Sequence, residues 1–128
     1  MTETLPKLRV LVVEDEPLVG MEIEYTIEEL GHEVVGPVAQ LVDAVAAAAD
    51  ATLGCAILDI NIRGGHSYPV ADLLLARGVP VLLLSGYGRQ SLPDRLQAAA
   101  YLTKPFTSGQ LQQEVRNLCA RTAADPGP

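Results

Sequence analysis

Positive charge is scarce in this chain. Nine Lys and Arg stand against sixteen Asp and Glu, a net charge of −7. Such a chain is a poor candidate for direct DNA or RNA binding, because phosphate neutralisation carries much of that affinity. Long apolar runs are missing as well: none approaches the ~18 residues of a membrane span. Residues 1–7 lack the basic-then-apolar pattern of a signal peptide. Cysteine and histidine are few and scattered. Cys55, Cys119, His32 and His66 form no cluster of ligand spacing, which excludes a zinc site of the usual kind. Two cysteines so far apart, both in apolar contexts, read as buried free thiols in a reducing cytosol. Lysine is rare even among the bases, two against seven arginines.

What is present suffices for one ordinary domain. The chain has 128 residues, 48% of them apolar, and a chain of this size buries roughly two-thirds of its unfolded surface. The domain is expected over residues 8–119, with flexible termini at 1–7 and 120–128. Met1 and the loose tail point to a chain that stands alone. Short apolar runs alternate with helical patterns. Strands are expected at 8–13 (LRVLVV), 33–37 (EVVGP), 55–60 (CAILDI), 79–84 (VPVLLL) and 101–103. Helices are expected at 17–30, 41–49, 68–76, 93–99 and 107–119. The first opens on Pro17 and closes at Gly31; the last opens with Thr107 and Gln110 spaced as a capping box. Five strands alternating with five helices imply an α/β fold with a doubly wound parallel sheet, order 2-1-3-4-5, flavodoxin-like.

In such a sheet, ligands bind beyond the carboxyl ends of the strands, at the point where strand order reverses. The first strand delivers Glu14, Asp15 and Glu16 there, the third Asp59, the fourth Ser85 and the fifth Lys104. Clustered carboxylates invite a hard divalent cation such as Mg²⁺. A lysine opposite them suits a phosphoryl group, and a central carboxylate can be a nucleophile that carries an acyl phosphate. Taken singly, each residue also has a plain reading: a solvated acidic loop, a turn aspartate, a surface lysine, a packing tyrosine at 101. Glu16 reads as an exposed charge, His32 and His66 as solvent residues. Glu22, Glu24, Glu28 and Glu29 read as the wet face of the first helix, which a partner could still use. Residues 86–100 are expected to be the least stable part of the fold, with Gly86 and Gly88 at their start and few apolar anchors.

Four pieces taken together, VLVVEDE (10–16), AILDINI (56–62), LLLSGYG (82–88) and YLTKPF (101–106), resemble the receiver domain of bacterial two-component response regulators. The likeness runs over almost all of residues 8–119. It implies a phospho-accepting signalling protein rather than an enzyme, cytoplasmic, and without contact to nucleic acid or membrane. Asp59 matches the phospho-acceptor, and Glu14 and Asp15 the acidic pair that holds Mg²⁺ with Asp59. Asn61 stands where the family uses a backbone carbonyl as metal ligand. Ser85 and Tyr101 match the switch residues, Lys104 the family's lysine, and Lys104–Pro105 its cis peptide. The Gly-Tyr-Gly after Ser85 and the YPVAD run (68–72) resemble the FATGUY subgroup of single-domain receivers, although Leu-Leu-Ser replaces its Phe-Ala-Thr. The implied phosphodonor is a sensor histidine kinase, HWE-type for that subgroup, or a histidine phosphotransfer protein. The output is an altered interaction with a downstream protein, or a phosphate sink.

Three alternatives compete. A degenerate receiver would bind partners without phosphorylation, but the set of Asp15, Asp59, Ser85 and Lys104 is complete. A flavodoxin would need a phosphate loop where Glu14–Glu16 stand. An Asp-nucleophile phosphatase would need a carboxylate two places after Asp59, where Asn61 stands.

Overall fold

The structure is a computed structural model and describes residues 7–124. Its main sheet has five parallel strands: β1 (Arg9–Val13), β2 (Glu33–Val38), β3 (Cys55–Asp59), β6 (Val81–Ser85) and β7 (Ala100–Thr103). A small antiparallel hairpin, β4 (Asn61–Ile62) and β5 (Gly65–His66), leaves the end of β3. The spatial order is β2-β1-β3-β6-β7. Counted along the large sheet alone this is the expected 2-1-3-4-5. The fold class therefore stands as expected, a flavodoxin-like doubly wound sheet.

The strands are apolar on both faces because both faces are covered. Side-chain alternation sorts them into two layers. Leu11, Val13, Ala56, Leu58, Val81 and Leu83 pack with α2 (Leu41–Ala48) and α3 (Tyr68–Ala76). Val10, Val12, Cys55, Ile57, Leu82 and Leu84 pack with α1 (Pro17–Glu29) and α4 (Ser108–Ala124). Both cysteines are buried and unbridged in the second layer. Gly36 has φ +109°, and a β-carbon there would stand 2.7 Å from the Val12 carbonyl oxygen, so only glycine fits where the β1–β2 register slips.

The expected helix at 93–99 is not an α-helix. Two 3₁₀ turns, Arg89–Ser91 and Asp94–Leu96, take its place. Leu92 precedes Pro93 and is pushed to extended backbone by clash with the proline ring, which separates the turns. Among the described residues there are thus four α-helices, not five. Among the described residues, no helix is long and apolar enough to cross a membrane. The capping box forms as expected: the Thr107 amide donates to Gln110 Oε1 at 2.8 Å, and the Gln110 amide to Thr107 Oγ1 at 3.1 Å. The helix it opens continues past residue 119 to Ala124. The rest of both expected flexible termini, residues 1–6 and 125–128, lies outside the described residues.

His32 is not a free solvent residue. Its Nδ1 accepts the Leu8 amide at 3.0 Å, and burial lowers its pKa. His66 is exposed on β5, stacked on Tyr68 at 5.4 Å.

Candidate functional site

The site is made by what each strand delivers at its carboxyl end. The backbone of Glu14 is still bonded to the sheet, its amide donating to the Val38 carbonyl at 2.9 Å. Its side chain turns inward and is 3% exposed. There Glu14 Oε2 accepts the amides of Asp15 and Glu16 at 3.1 and 3.2 Å, which shapes the turn into α1. Asp59 closes β3 and is 5% exposed. The Lys104 amide donates to the Ser85 carbonyl at 2.7 Å, and a cis peptide joins Lys104 to Pro105. The Lys104 ammonium donates to Glu14 Oε1 at 3.0 Å, Glu16 Oε1 at 3.0 Å and Asp59 Oδ2 at 3.1 Å. Glu16 is thus a partner of the lysine, not merely an exposed charge. The order of the strands, which brings the carboxyl ends of β1 and β7 to one edge of the sheet, joins residues 88 positions apart, so local pattern gives no sign of it.

The electrostatics follow from one ammonium facing several carboxylates. Burial pushes the Glu14 pKa up to about 7, and the neighbouring Asp59 adds to the effect against the opposing pull of Lys104. Burial alone would lower the Lys104 pKa, but its bonds to Glu16, Glu14 and Asp59 outweigh that and hold it above the ordinary lysine value. One carboxylate oxygen from each of Glu14, Asp15, Glu16 and Asp59 lies within 4.8 Å of the others. An all-oxygen donor set with surplus negative charge suits a hard cation of the Mg²⁺ type. The residues therefore fit the metal that the sequence implies.

The remaining expected residues sit around this cluster. The Asn61 amide points at Asp59 Oδ1, at 3.4 Å. Ser85 is 2% exposed on the neighbouring strand, where its Oγ accepts the Tyr87 amide at 3.0 Å. A cavity of about 460 Å³ opens between them, lined by Asn61, His66, Tyr68, Ser85, Tyr87 and Ser91 among others. Tyr101 lies outside the cluster. Its hydroxyl is buried with no hydrogen-bond partner, and the Arg89 guanidinium covers its ring at 5.3 Å. One residue escaped the sequence reading: Ser67, fully buried, whose hydroxyl donates to the Asp59 carbonyl at 2.8 Å. The two residues meet because the β4–β5 hairpin folds the chain back, not because they share a helix or strand face.

Comparison with known proteins identifies the family. The response regulator receiver domain model matches residues 10–116, and the chain belongs to that family. It is 36% identical over 101 residues to the phyllosphere-induced regulator PhyR of Methylorubrum extorquens, a match covering 76% of this chain and 38% of that protein. The solution structure of SdrG from Sphingomonas melonis Fr1 is 37% identical, with TM-score 0.75, covering 88% of this chain and 96% of that one. The receiver domain of the sensor histidine kinase PA1611 from Pseudomonas aeruginosa, solved with magnesium in its active-site cleft, is 26% identical with TM-score 0.70, covering 90% and 99%.

Proposed function

We propose that this chain is a phospho-accepting receiver, cytoplasmic and organised as one domain over residues 8–119, that takes a phosphoryl group onto Asp59 in a two-component phosphorelay. The observation that carries this reading is the single ammonium of Lys104 held 3.1 Å from a buried Asp59, inside a ring of carboxylate oxygens. Asp59 Oδ attacks the phosphorus of a phosphohistidine; the P–O bond forms, the P–N bond breaks, and the imidazole leaves with the electron pair. Glu14, Asp15, Asp59 and the Asn61 carbonyl would hold Mg²⁺, which supplies charge neutralisation for the phosphoryl oxygens. Lys104 is placed to follow a phosphoryl oxygen on Asp59, and Ser85 to donate to another once its hydroxyl turns from Tyr87.

The phosphodonor is a histidine kinase or histidine phosphotransfer protein, which must dock beside Asp59. Leu18, Met21 and Tyr25 are 80%, 62% and 65% exposed, and their spacing puts them on one face of α1. That helix starts at Glu16 and Pro17 beside the cluster, so its stripe is the surface assigned to the donor. The Gly-Tyr-Gly after Ser85 and the YPVAD run (68–72) favour the FATGUY subgroup and, with it, an HWE-type kinase.

Treatment with acetyl phosphate and Mg²⁺, followed by mass spectrometry, tests the reading. One phosphoryl group, acid-stable and base-labile, is expected on the peptide holding Asp59, absent in Asp59→Asn and in Asp15→Asn. Met21→Glu should slow transfer from a protein donor and leave acetyl phosphate labelling unchanged. Failure of the wild-type chain to label would turn the reading to a degenerate receiver that binds its partners without phosphorylation.

A further inference from the structure

We infer that Ser67 is a positioning residue of the acceptor site, acting through the backbone of Asp59; the inference rests on the metal-assisted reading of that site. Ser67 stands at the N-cap of α3. A serine there ordinarily turns its hydroxyl to the first amides of its own helix. Here it makes no such cap bond. The Val70 and Ala71 amides are met by the Ser67 carbonyl at 3.0 and 3.1 Å. The hydroxyl is instead directed back across the loop to the Asp59 carbonyl oxygen, 2.8 Å away in a fully buried setting.

The bond closes a small frame. The Ser67 amide donates to the Ile60 carbonyl at 2.8 Å, and the Ile60 amide to the Leu84 carbonyl at 2.9 Å. Between these ends, β4 and β5 pair Asn61 with His66 and Ile62 with Gly65. The peptide plane joining Asp59 to Ile60 is therefore held on one side by β6 and on the other by Ser67. On one flank of that plane is the Asp59 carboxylate; on the other is Asn61, whose amide faces Asp59 Oδ1. Tilting the plane displaces the nucleophile and the Asn61 carbonyl together. A serine serving helix α3 alone would leave both where they are. Supporting groups of this kind tune metal sites by orienting the ligands themselves.

Three substitutions test the assignment, with Mg²⁺ affinity read by NMR titration of the unphosphorylated protein and stability read by urea midpoint. Ser67→Ala and Ser67→Cys remove the strong donor, the latter at nearly constant volume; Ser67→Thr retains it. Ala and Cys are expected to weaken Mg²⁺ binding about tenfold and to slow acetyl phosphate labelling at low Mg²⁺, with recovery at saturating Mg²⁺. Thr should stay near wild type. Wild-type Mg²⁺ affinity in the Cys variant, whatever its urea midpoint, would overturn the inference, and so would equal weakening in Thr. Should Ala fail to fold, Cys and Thr decide. A wild-type chain that binds no Mg²⁺ would sink the site reading itself, a result distinct from a wild-type chain that binds it and a Cys variant that binds it equally well.

Discussion

Two stretches of chain share one edge of the sheet and are built on opposite plans. At the ends of β1, β3 and β7, the side chains of Glu14, Asp59 and Lys104 are mostly or wholly buried and bonded to one another through short charged contacts. Residues 86–99, between β6 and β7, have no α-helix and hold together by largely exposed bonds. There Arg89 donates to the Gln97 and Ala99 carbonyls, each at 2.7 Å, and Gln97 donates to the Arg89 and Leu92 carbonyls at 3.0 and 2.9 Å. Leu92 and Leu96 are the buried anchors of the stretch, with a half-buried Ala99 packed against the same layer. Charge is thus prearranged around the proposed acceptor Asp59. One strand away the chain is held by few buried contacts. Ser85 belongs to both, with its carbonyl bonded to the Lys104 amide and its hydroxyl to the Tyr87 amide.

Core truncations should separate the two plans with the largest effects. Leu58 and Leu96 are both fully or nearly fully buried in the same layer. Leu58→Ala, in the middle of the sheet, is expected to cost about 3 kcal/mol of global stability, whereas Leu96→Ala should cost about 1–2 kcal/mol because its site can collapse or open locally. Urea denaturation measures both. Equal losses would mean that residues 86–99 unfold only with the whole domain.

The charged side of the comparison has its own test in pH. The Glu14 pKa is raised from an ordinary 4.5 to about 7, chiefly by burial. A raised acid contributes stability that is fully present below 4.5 and is lost as pH climbs through 7. The loss attributable to Glu14 is about 3 kcal/mol. Glu14→Gln fixes the neutral form, so its stability should change less than that of wild type between about pH 4.5 and 8. Mg²⁺, which binds the folded chain, should restore part of the wild-type loss at the alkaline end. Parallel pH profiles of wild type and Glu14→Gln would remove Glu14 as the cause.

The sequence announces the two plans unequally. Strands buried on both faces show as unbroken apolar runs such as CAILDI, and acidic residues that interrupt or end those runs stand out. That is why Glu14, Asp15 and Asp59 can be placed from the sequence alone; Lys104, one of two lysines, stands out by its rarity at the exit of the last strand. Their partners cannot be placed this way. Glu16 reaches Lys104 through the order of strands, and Ser67 reaches Asp59 by returning from a hairpin; neither pair shares a helix or strand face. The helix expected at 93–99 fails for a local reason that the sequence does contain. Pro93 suits a helix start, but it also forces Leu92 out of helical backbone. Side-chain clamps from Arg89 and Gln97 then supply what helical hydrogen bonds would have supplied.

Those clamps give the smallest effect and the sharpest contrast. Arg89 both bonds the two carbonyls and covers the Tyr101 ring. Its bonds are exposed, so water replaces them readily, and a net contribution of about 1 kcal/mol is expected. Arg89→Ala should leave the urea midpoint nearly unchanged, because the loss falls on a stretch that opens by itself. Hydrogen exchange should register it: amides in residues 89–99 of the variant exchange several-fold faster, while those of β3 and α4 keep wild-type rates. Beryllofluoride with Mg²⁺, mimicking phosphoryl on Asp59, should slow exchange of residues 86–99 in wild type by drawing Ser85 toward the acceptor. If Arg89→Ala speeds exchange in β3 and α4 as much as in 89–99, the clamp belongs to the global fold. The division between a fixed charged corner and a yielding neighbour would then fail at its yielding half.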